Sequence, residues 1–514
     1  MATIINRIRY LILTFCFCFS LYSINFYEGS KYIFIIYNII LLFLVYYLTN
    51  FSSSFISFFL AFYLFMGFWF KYNFSLVFNN GYVFDSGLMN STNIDNVLIL
   101  SIYLFLTIII SNYTSKKFSY NKFRLSNTQN LFSKTYFDYK NYIIFFFVIF
   151  FLLNGILNYF FKIYIKGIIF DNEYSYIYVS LIKWLLLYGF IIFSCFILNQ
   201  ELRNKRKNII LLILIIFFEL FVSYTSMLSR SIVLFGIPFL YCFIFYDDKT
   251  IYFKRNYIFL VLIFLVVSSV SIISSNKLRL FHVNQLKEDL RVEYQKLQSN
   301  KKNNKENIIN SDVVRNDLDK NFLNSKKFNF QVNEMLKEDP QKINAKNVTN
   351  FILINRWVGI DSLINVSTSD NLSFRLLVEA FKEEKSKAGN SFYENNFNLE
   401  HKKISFSSKE TYVKGNTLPG LFSFLYYSGS KFFLITLTFL ILNFLVYLEK
   451  KIFFFSNKNI IFVGFFSHAV ANRIFSFGYA PKDTYLFIVS LLLSLIFIYI
   501  LETNRFDKLL SNLK

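Results

Sequence analysis

Asn141–Phe161 reads NYIIFFFVIFFLLNGILNYFF, 21 residues without a charge. At 1.5 Å per residue it reaches across a hydrocarbon core of about 30 Å. Lipid offers no partner for backbone N–H and C=O groups, so a run this long and apolar must satisfy them internally, as a helix. Comparable runs lie near residues 10–27, 32–49, 55–71, 96–113, 176–198, 209–226, 231–246, 257–274, 431–448, 459–476 and 484–501, and the run at 231–246 is short for a crossing. The mean hydropathy of +0.42 over 514 residues is too high for a water-soluble domain. The expected fold is an all-α polytopic membrane protein with about 12 transmembrane helices. MATIINRIRY followed by LILTFCFCFS has the look of a secretory leader, but no A-x-A site follows, and it reads as a retained first span.

Charge orders these spans. Short cytoplasmic loops collect Lys and Arg, and here alternate connections carry them: Arg7 and Arg9; Lys116 to Lys140; Arg203 to Lys207; Lys249 to Arg255; Lys450, Lys451 and Lys458; and Arg505, Lys508 and Lys514. Both termini are then expected on the cytoplasmic side. The chain divides into spans one to nine (1–274), a large outer loop (275–430), and spans ten to twelve with a tail (431–514).

The loop is uneven. Residues 295–348, rich in Asn and Lys as in KKNNKENIIN, read as a flexible insertion. From Phe351 apolar residues return at helical spacing: Leu353, Trp357, Ile360 and Ile364, then Phe374, Leu377, Val378 and Phe381. Two short amphipathic helices over 351–386 should therefore pack on the bundle, the second capped by Ser369 or Asp370. Arg375 and Glu379 fall four apart on its outward face, a solvated pair.

The candidate chemistry gathers at the outer face. Arg230 lies where span seven turns into span eight, Arg279 opens the loop, Arg356 and Trp357 sit within INRWVGIDSL, and Arg473 ends span eleven. Guanidinium groups bind phosphate oxygens in pairs, so this set suits a phosphate or pyrophosphate ligand. Arg356 and Asp361 are five apart, about 140° around a straight helix; either one of them points inward over the membrane-embedded cavity, or Gly359 breaks the helix and lets both converge. Glu219 is a carboxylate inside span seven, with Lys183 in span six as a candidate ion-pair partner. His468 lies more than a turn deeper than Arg473, and Asp483 is an outer-loop carboxylate.

Other readings of the composition are excluded. The chain holds 70 Phe and 36 Tyr alongside abundant Ile, Asn and Lys, a bias that removes aromatic richness as a site signal. Cys16, Cys18, Cys195 and Cys242 all fall in apolar runs, so no disulfide framework or Cys-x-x-Cys metal site is present. The sequence has neither a P-loop nor an H-E-x-x-H motif. No metal or cofactor is expected, and no nucleic-acid partner.

The layout of many spans with one large loop in the second half resembles bacterial O-antigen and capsular polysaccharide repeat-unit polymerases. SMLSRSIVLF, INRWVGIDSL and GNTLPGLFSFLYYSGSKFF are the stretches that carry the likeness. The resemblance implies an enzyme, a glycosyltransferase of polysaccharide biosynthesis acting on undecaprenyl-pyrophosphate-linked oligosaccharide at the periplasmic face, for lipopolysaccharide or capsule, with a chain-length regulator as a candidate partner. A sugar hydroxyl would attack an anomeric carbon and expel lipid pyrophosphate. Arg230, Arg279, Arg356 and Arg473 would be the cations, Asp361 the first candidate base, and Trp357 an interfacial anchor or sugar platform. Two rivals share parts of the pattern. An O-antigen ligase uses the same donor, but His282 in HVNQL and His401 in HKKIS do not fit its loop motif. A flippase or other transporter has a similar number of spans, but no internal repeat is visible here.

Overall fold

The structure is a computed structural model that describes residues 2–51, 54–78, 91–115, 131–166, 168–170, 175–203, 209–229, 232, 236, 259–278, 357–383, 391–397, 406–407, 411–413, 418–478 and 481–502. Its first half comprises helices α1 (Ala2–Ser23), α2 (Lys31–Phe51), α3 (Phe55–Phe78), α4 (Ser91–Ser115), α5 (Leu131–Asp138), α6 (Lys140–Phe161), α7 (Ile177–Arg203), α8 (Ile209–Ser226) and α9 (Phe259–Leu278). The second half comprises α10 (Ile360–Ser367), α11 (Phe374–Phe381), α12 (Phe392–Phe397), α13 (Gly420–Leu425), α14 (Lys431–Phe455), α15 (Ile460–Phe475) and α16 (Pro481–Glu502).

Among the described residues, eight helices are long and apolar enough to cross a membrane, and three shorter apolar helices, Tyr10–Phe26, Ile210–Ser226 and Ile460–Phe475, accompany them. Together they cover each expected span except the one near 231–246, which lies outside the described residues apart from Ile232 and Gly236. The expected flexible stretch 295–348 also lies outside them. Burial explains why α15 is short. Every residue from Ile460 to Ala471 is buried, so protein surrounds this helix on all sides and no hydrocarbon thickness sets its length. It packs along α3, which like α7 is mostly enclosed, while α6, α14 and α16 turn most of their surface outward.

Polar contacts sort the helix ends into two levels. At one level Glu449 of α14 accepts from the Phe55 and Ile56 N–H groups of α3 and from the Ser54 and Ser467 hydroxyls. There too Glu502 of α16 meets Arg203, Asn199, Gln200 and Asn459, and Glu201 meets Lys140 and Tyr136. At the other level Asn158 ties the end of α6 to Ser226 at the end of α8, and Lys166 N–H donates to the Met227 carbonyl. Leu278 ends α9 at that level, packed with Tyr159, Ile165 and Leu228. The return into α14 is at the same level, where Ser373 N–H donates to Tyr427 O and Phe374 meets Phe433 edge-on. The long connection from α9 to α14 thus leaves and re-enters at one end of the bundle.

One element departs from the all-helical expectation. Strands β1 (Ile168–Phe170), β2 (Phe406–Ser407) and β3 (Thr411–Val413) form an antiparallel sheet in the order β1-β3-β2, pairing Ile169 with Tyr412. These runs of two or three residues are too short for an alternating pattern to show in sequence. They fasten the α6–α7 connection to the large loop.

The loop helices differ in detail from expectation. The first helix begins at Ile360, so Trp357 stands outside it; Leu353 lies outside the described residues. The second runs from Phe374 to Phe381 as its periodicity indicated, but its cap is Ser373, whose hydroxyl accepts from Leu376 N–H, and not Ser369 or Asp370. Arg375 and Glu379 pair at 3.0 Å in solvent, as their spacing indicated.

Candidate functional site

The turn at Trp357–Gly359 docks where α3 departs from regular geometry. Residues Phe65–Phe70 make a widened π-turn, which frees a carbonyl from the helical ladder, and the Tyr37 hydroxyl donates to Phe68 O at 3.0 Å. The loop backbone lies directly on the turn. A Cβ on Gly67 would come 2.3 Å from Val358 O, and one on Gly359 would come 2.2 Å from Gly67 O. On the far side Gly420 (φ +72°) faces Val358, and its N–H donates to Phe477 O at 3.0 Å. Gly67 and Gly359 therefore let the loop and α3 touch backbone to backbone, and Gly420 receives the Val358 side chain. Gly359 is the residue before α10, so Trp357 and Val358 lie outside that helix; Arg356, the other half of the expected convergence, lies outside the described residues.

Asp361 does not stand open. Its Oδ2 lies 2.7 Å from Lys71 Nζ, the residue that follows the π-turn, with the two side chains 11% and 1% exposed. The same ammonium donates to Trp357 O at 3.0 Å. Ser362 ties the start of α10 to α13, its hydroxyl 3.0 Å from that of Ser423. Farther along, Asn365 donates to the Tyr393 hydroxyl. Beside them Tyr427 is buried, and burial, with Tyr393 and Glu383 nearby, holds its phenol well above the usual tyrosine range.

The Trp357 ring meets Phe62 edge-on at 5.7 Å and lies 6.3 Å from Tyr63. Tyr63 continues the line inward, its hydroxyl 3.1 Å from His468 Nε2, with Phe59 edge-on to the imidazole. His468 is wholly buried in α15. It connects to the loop through Tyr63 and does not face the loop itself.

Arg473, in the last turn of α15, is held from two sides. Its Nη2 donates to Thr484 Oγ1 at 2.7 Å, and the guanidinium lies 5.7 Å over the Phe487 ring. Tyr188 is within electrostatic range of it. Tyr188 is in the Leu185–Gly189 π-turn of α7, so both π-turns adjoin charged groups. Tyr224 lies in turn within range of Tyr188, Tyr164 and Glu219. Glu219 is fully buried; Oε1 accepts from Ser223 at 2.8 Å, and Oε2 has no hydrogen-bond partner among the described residues. The expected Glu219–Lys183 ion pair is absent. Lys183 Nζ sits 5.2 Å over the Tyr164 ring, and Glu219 makes no ion pair among the described residues.

Of the expected arginines the structure therefore places only Arg473. Arg230, Arg279 and Arg356 lie outside the described residues, but their neighbours do not: Leu228 and Leu278 share one small cluster, and Trp357 docks on α3. Asp483 falls in the first turn of α16. Lys71, Tyr188 and Tyr224 escaped the reading of the sequence. A lysine closing an apolar run reads as a side chain reaching for water, and tyrosines carry no signal in a chain with 36 of them. Comparison with family models, curated proteins and solved structures finds no match to this chain.

Proposed function

We propose that this chain is a bacterial inner-membrane polysaccharide polymerase. It joins oligosaccharide units carried on a polyprenyl pyrophosphate at the periplasmic face, with both termini in the cytoplasm. The observation that carries the reading is the line of tyrosines running through α8 and α7 to α15: Glu219, whose Oε2 has no hydrogen-bond partner among the described residues, lies near Tyr224 at one end, and the held Arg473 guanidinium lies near Tyr188 at the other. It lies toward the end of the bundle where the large loop leaves and returns. An unpartnered polar atom buried among apolar helices is costly and marks a place that a polar ligand fills.

In this reaction the acceptor sugar's hydroxyl oxygen bonds to the donor's anomeric carbon as the bond to lipid pyrophosphate breaks. Negative charge grows on the departing pyrophosphate, and Arg473 supplies a preorganised cation for it. Arg230, Arg279 and Arg356 are the further cations of this proposal. The hydroxyl proton goes to a carboxylate. Asp361 was the first candidate from sequence, but its engagement with Lys71 favours Glu219 for that role. Trp357 supplies a ring face for a sugar.

Deletion of the gene, followed by gel separation of surface polysaccharide, is the test. Loss of the long-chain ladder with survival of a single-unit band supports the polymerase. Loss of every unit from the lipid core points to a ligase or flippase, and an unchanged profile removes the glycan reading. Arg473→Ala should reproduce the deletion, and Arg473→Lys should restore it poorly, because an ammonium does not bind two oxygens as a planar fork does.

A further inference from the structure

We propose that Lys71 and Asp361 are the positioning pair that seats the Trp357 turn of the outer loop on α3, so that Asp361 orients the site and does not itself accept the proton. This inference rests on the glycosyl-transfer reading and names the part of the machinery that sets the loop in register.

The geometry is specific. One ammonium reaches both ends of the turn, Asp361 Oδ2 at 2.7 Å and Trp357 O at 3.0 Å, and so fixes the backbone on either side of Gly359. The turn can approach only at Gly67, because a Cβ on either facing glycine would collide with backbone. The π-turn then brings the chain to Lys71 at its end. Both charges are buried, Lys71 at 1% and Asp361 at 11% exposed.

Such a pair is poorly explained as a source of stability. Desolvating two ions costs about as much as their attraction returns, and an apolar pair of similar volume commonly does as well, whereas removing one partner strands the other. What the ion pair adds is selectivity: other seatings of the loop leave two buried charges unmatched. Trp357 is thereby held against Phe62 and Tyr63 with one face committed to the protein.

This logic supplies the test. Lys71→Met, Asp361→Leu and the double variant are compared in a chain whose other tryptophans, Trp69 and Trp184, are replaced by phenylalanine, leaving Trp357 emission to report docking. Polymer ladders report activity. Each single variant should shift Trp357 emission to the red and cut polymerisation by roughly a hundredfold or more, and the double variant should recover both. Single variants with unchanged emission would overturn the seating role. A double variant that docks normally but stays as inactive as Asp361→Leu would make Asp361 a group that acts on substrate, and would overturn the inference from the other side. If the deletion strain keeps its ladder, the reaction reading falls, and the emission series still decides whether this pair seats the loop.

Discussion

Glu449 and Glu219 are both buried carboxylates on apolar helices, and their surroundings assign them opposite work. Glu449 accepts from two backbone N–H groups at the start of α3 and from two serine hydroxyls. It is the cap of a neighbouring helix. Replacing it with alanine strands these donors, each worth about 1–3 kcal/mol when buried without a partner. Glu449→Ala should therefore lower thermal stability in detergent steeply, by roughly 3 kcal/mol or more. Glu219 has one oxygen on Ser223 and one with no hydrogen-bond partner among the described residues. Glu219→Gln keeps the shape and removes a charge that burial disfavours. It should leave the melting temperature unchanged or higher while abolishing chain elongation; a lower melting temperature with an intact ladder would make Glu219 structural. The sequence marked Glu219 because its flanks are uniformly apolar. It passed over Glu449, which precedes Lys450 and Lys451 and so looks like the charged end of a span. Its role depends on residues nearly 400 positions away, which no local pattern carries.

At the scale of elements, the loop was legible in its helices and opaque in its joints. Phe374 to Phe381 announced α11 by spacing alone, since a 3.6-residue period places those side chains on one face. The same rule misplaced Trp357 on a continuous helix with Ile360, because the helix starts only after Gly359, whose backbone meets Gly67. Close approach of two glycines from distant segments has no signature in either segment. Nor has a π-turn, whose carbonyl is satisfied by Tyr37 from another helix. This joint can be tested without touching a charge. Gly67→Ala puts a Cβ 2.3 Å from Val358 O, in a residue whose side chain faces Gly420 on the other side. The turn must move, and overpacking of this kind costs about 1–3 kcal/mol. Trp357 emission should shift to the red as it does in Lys71→Met, with the ion-pair residues still present. Unchanged emission would mean that the glycine contact does not govern docking.

For the molecule as a whole, hydropathy located the helices and contacts supply the frame that hydropathy lacks. Two levels of helix ends emerge from polar contacts that join residues far apart in sequence, such as Asn199 with Glu502 and Thr114 with Asn443. Because Leu278 and Ser430 stand at one level and Glu449 at the other, the phase of the later spans follows without the segment near 231–246. Which level faces the cytoplasm is a separate matter, argued from the short basic loops. It can be settled with two positions in a cysteine-free background, Asp370→Cys in the loop and Lys451→Cys at the opposite level, both exposed. In intact cells a membrane-impermeant thiol reagent should label the first and reach the second only after permeabilisation. The reverse pattern would put the line from Glu219 to Arg473 toward the cytoplasm, where a periplasmic polymerase could not use it. Labelling of both from one side would break the two-level frame, since α14 alone separates them: Phe374 packs on Phe433 at its start, and Lys451 lies in its last turns. The rise of a helix fixes Phe433 and Lys451 about 27 Å apart, nearly the thickness of the hydrocarbon core.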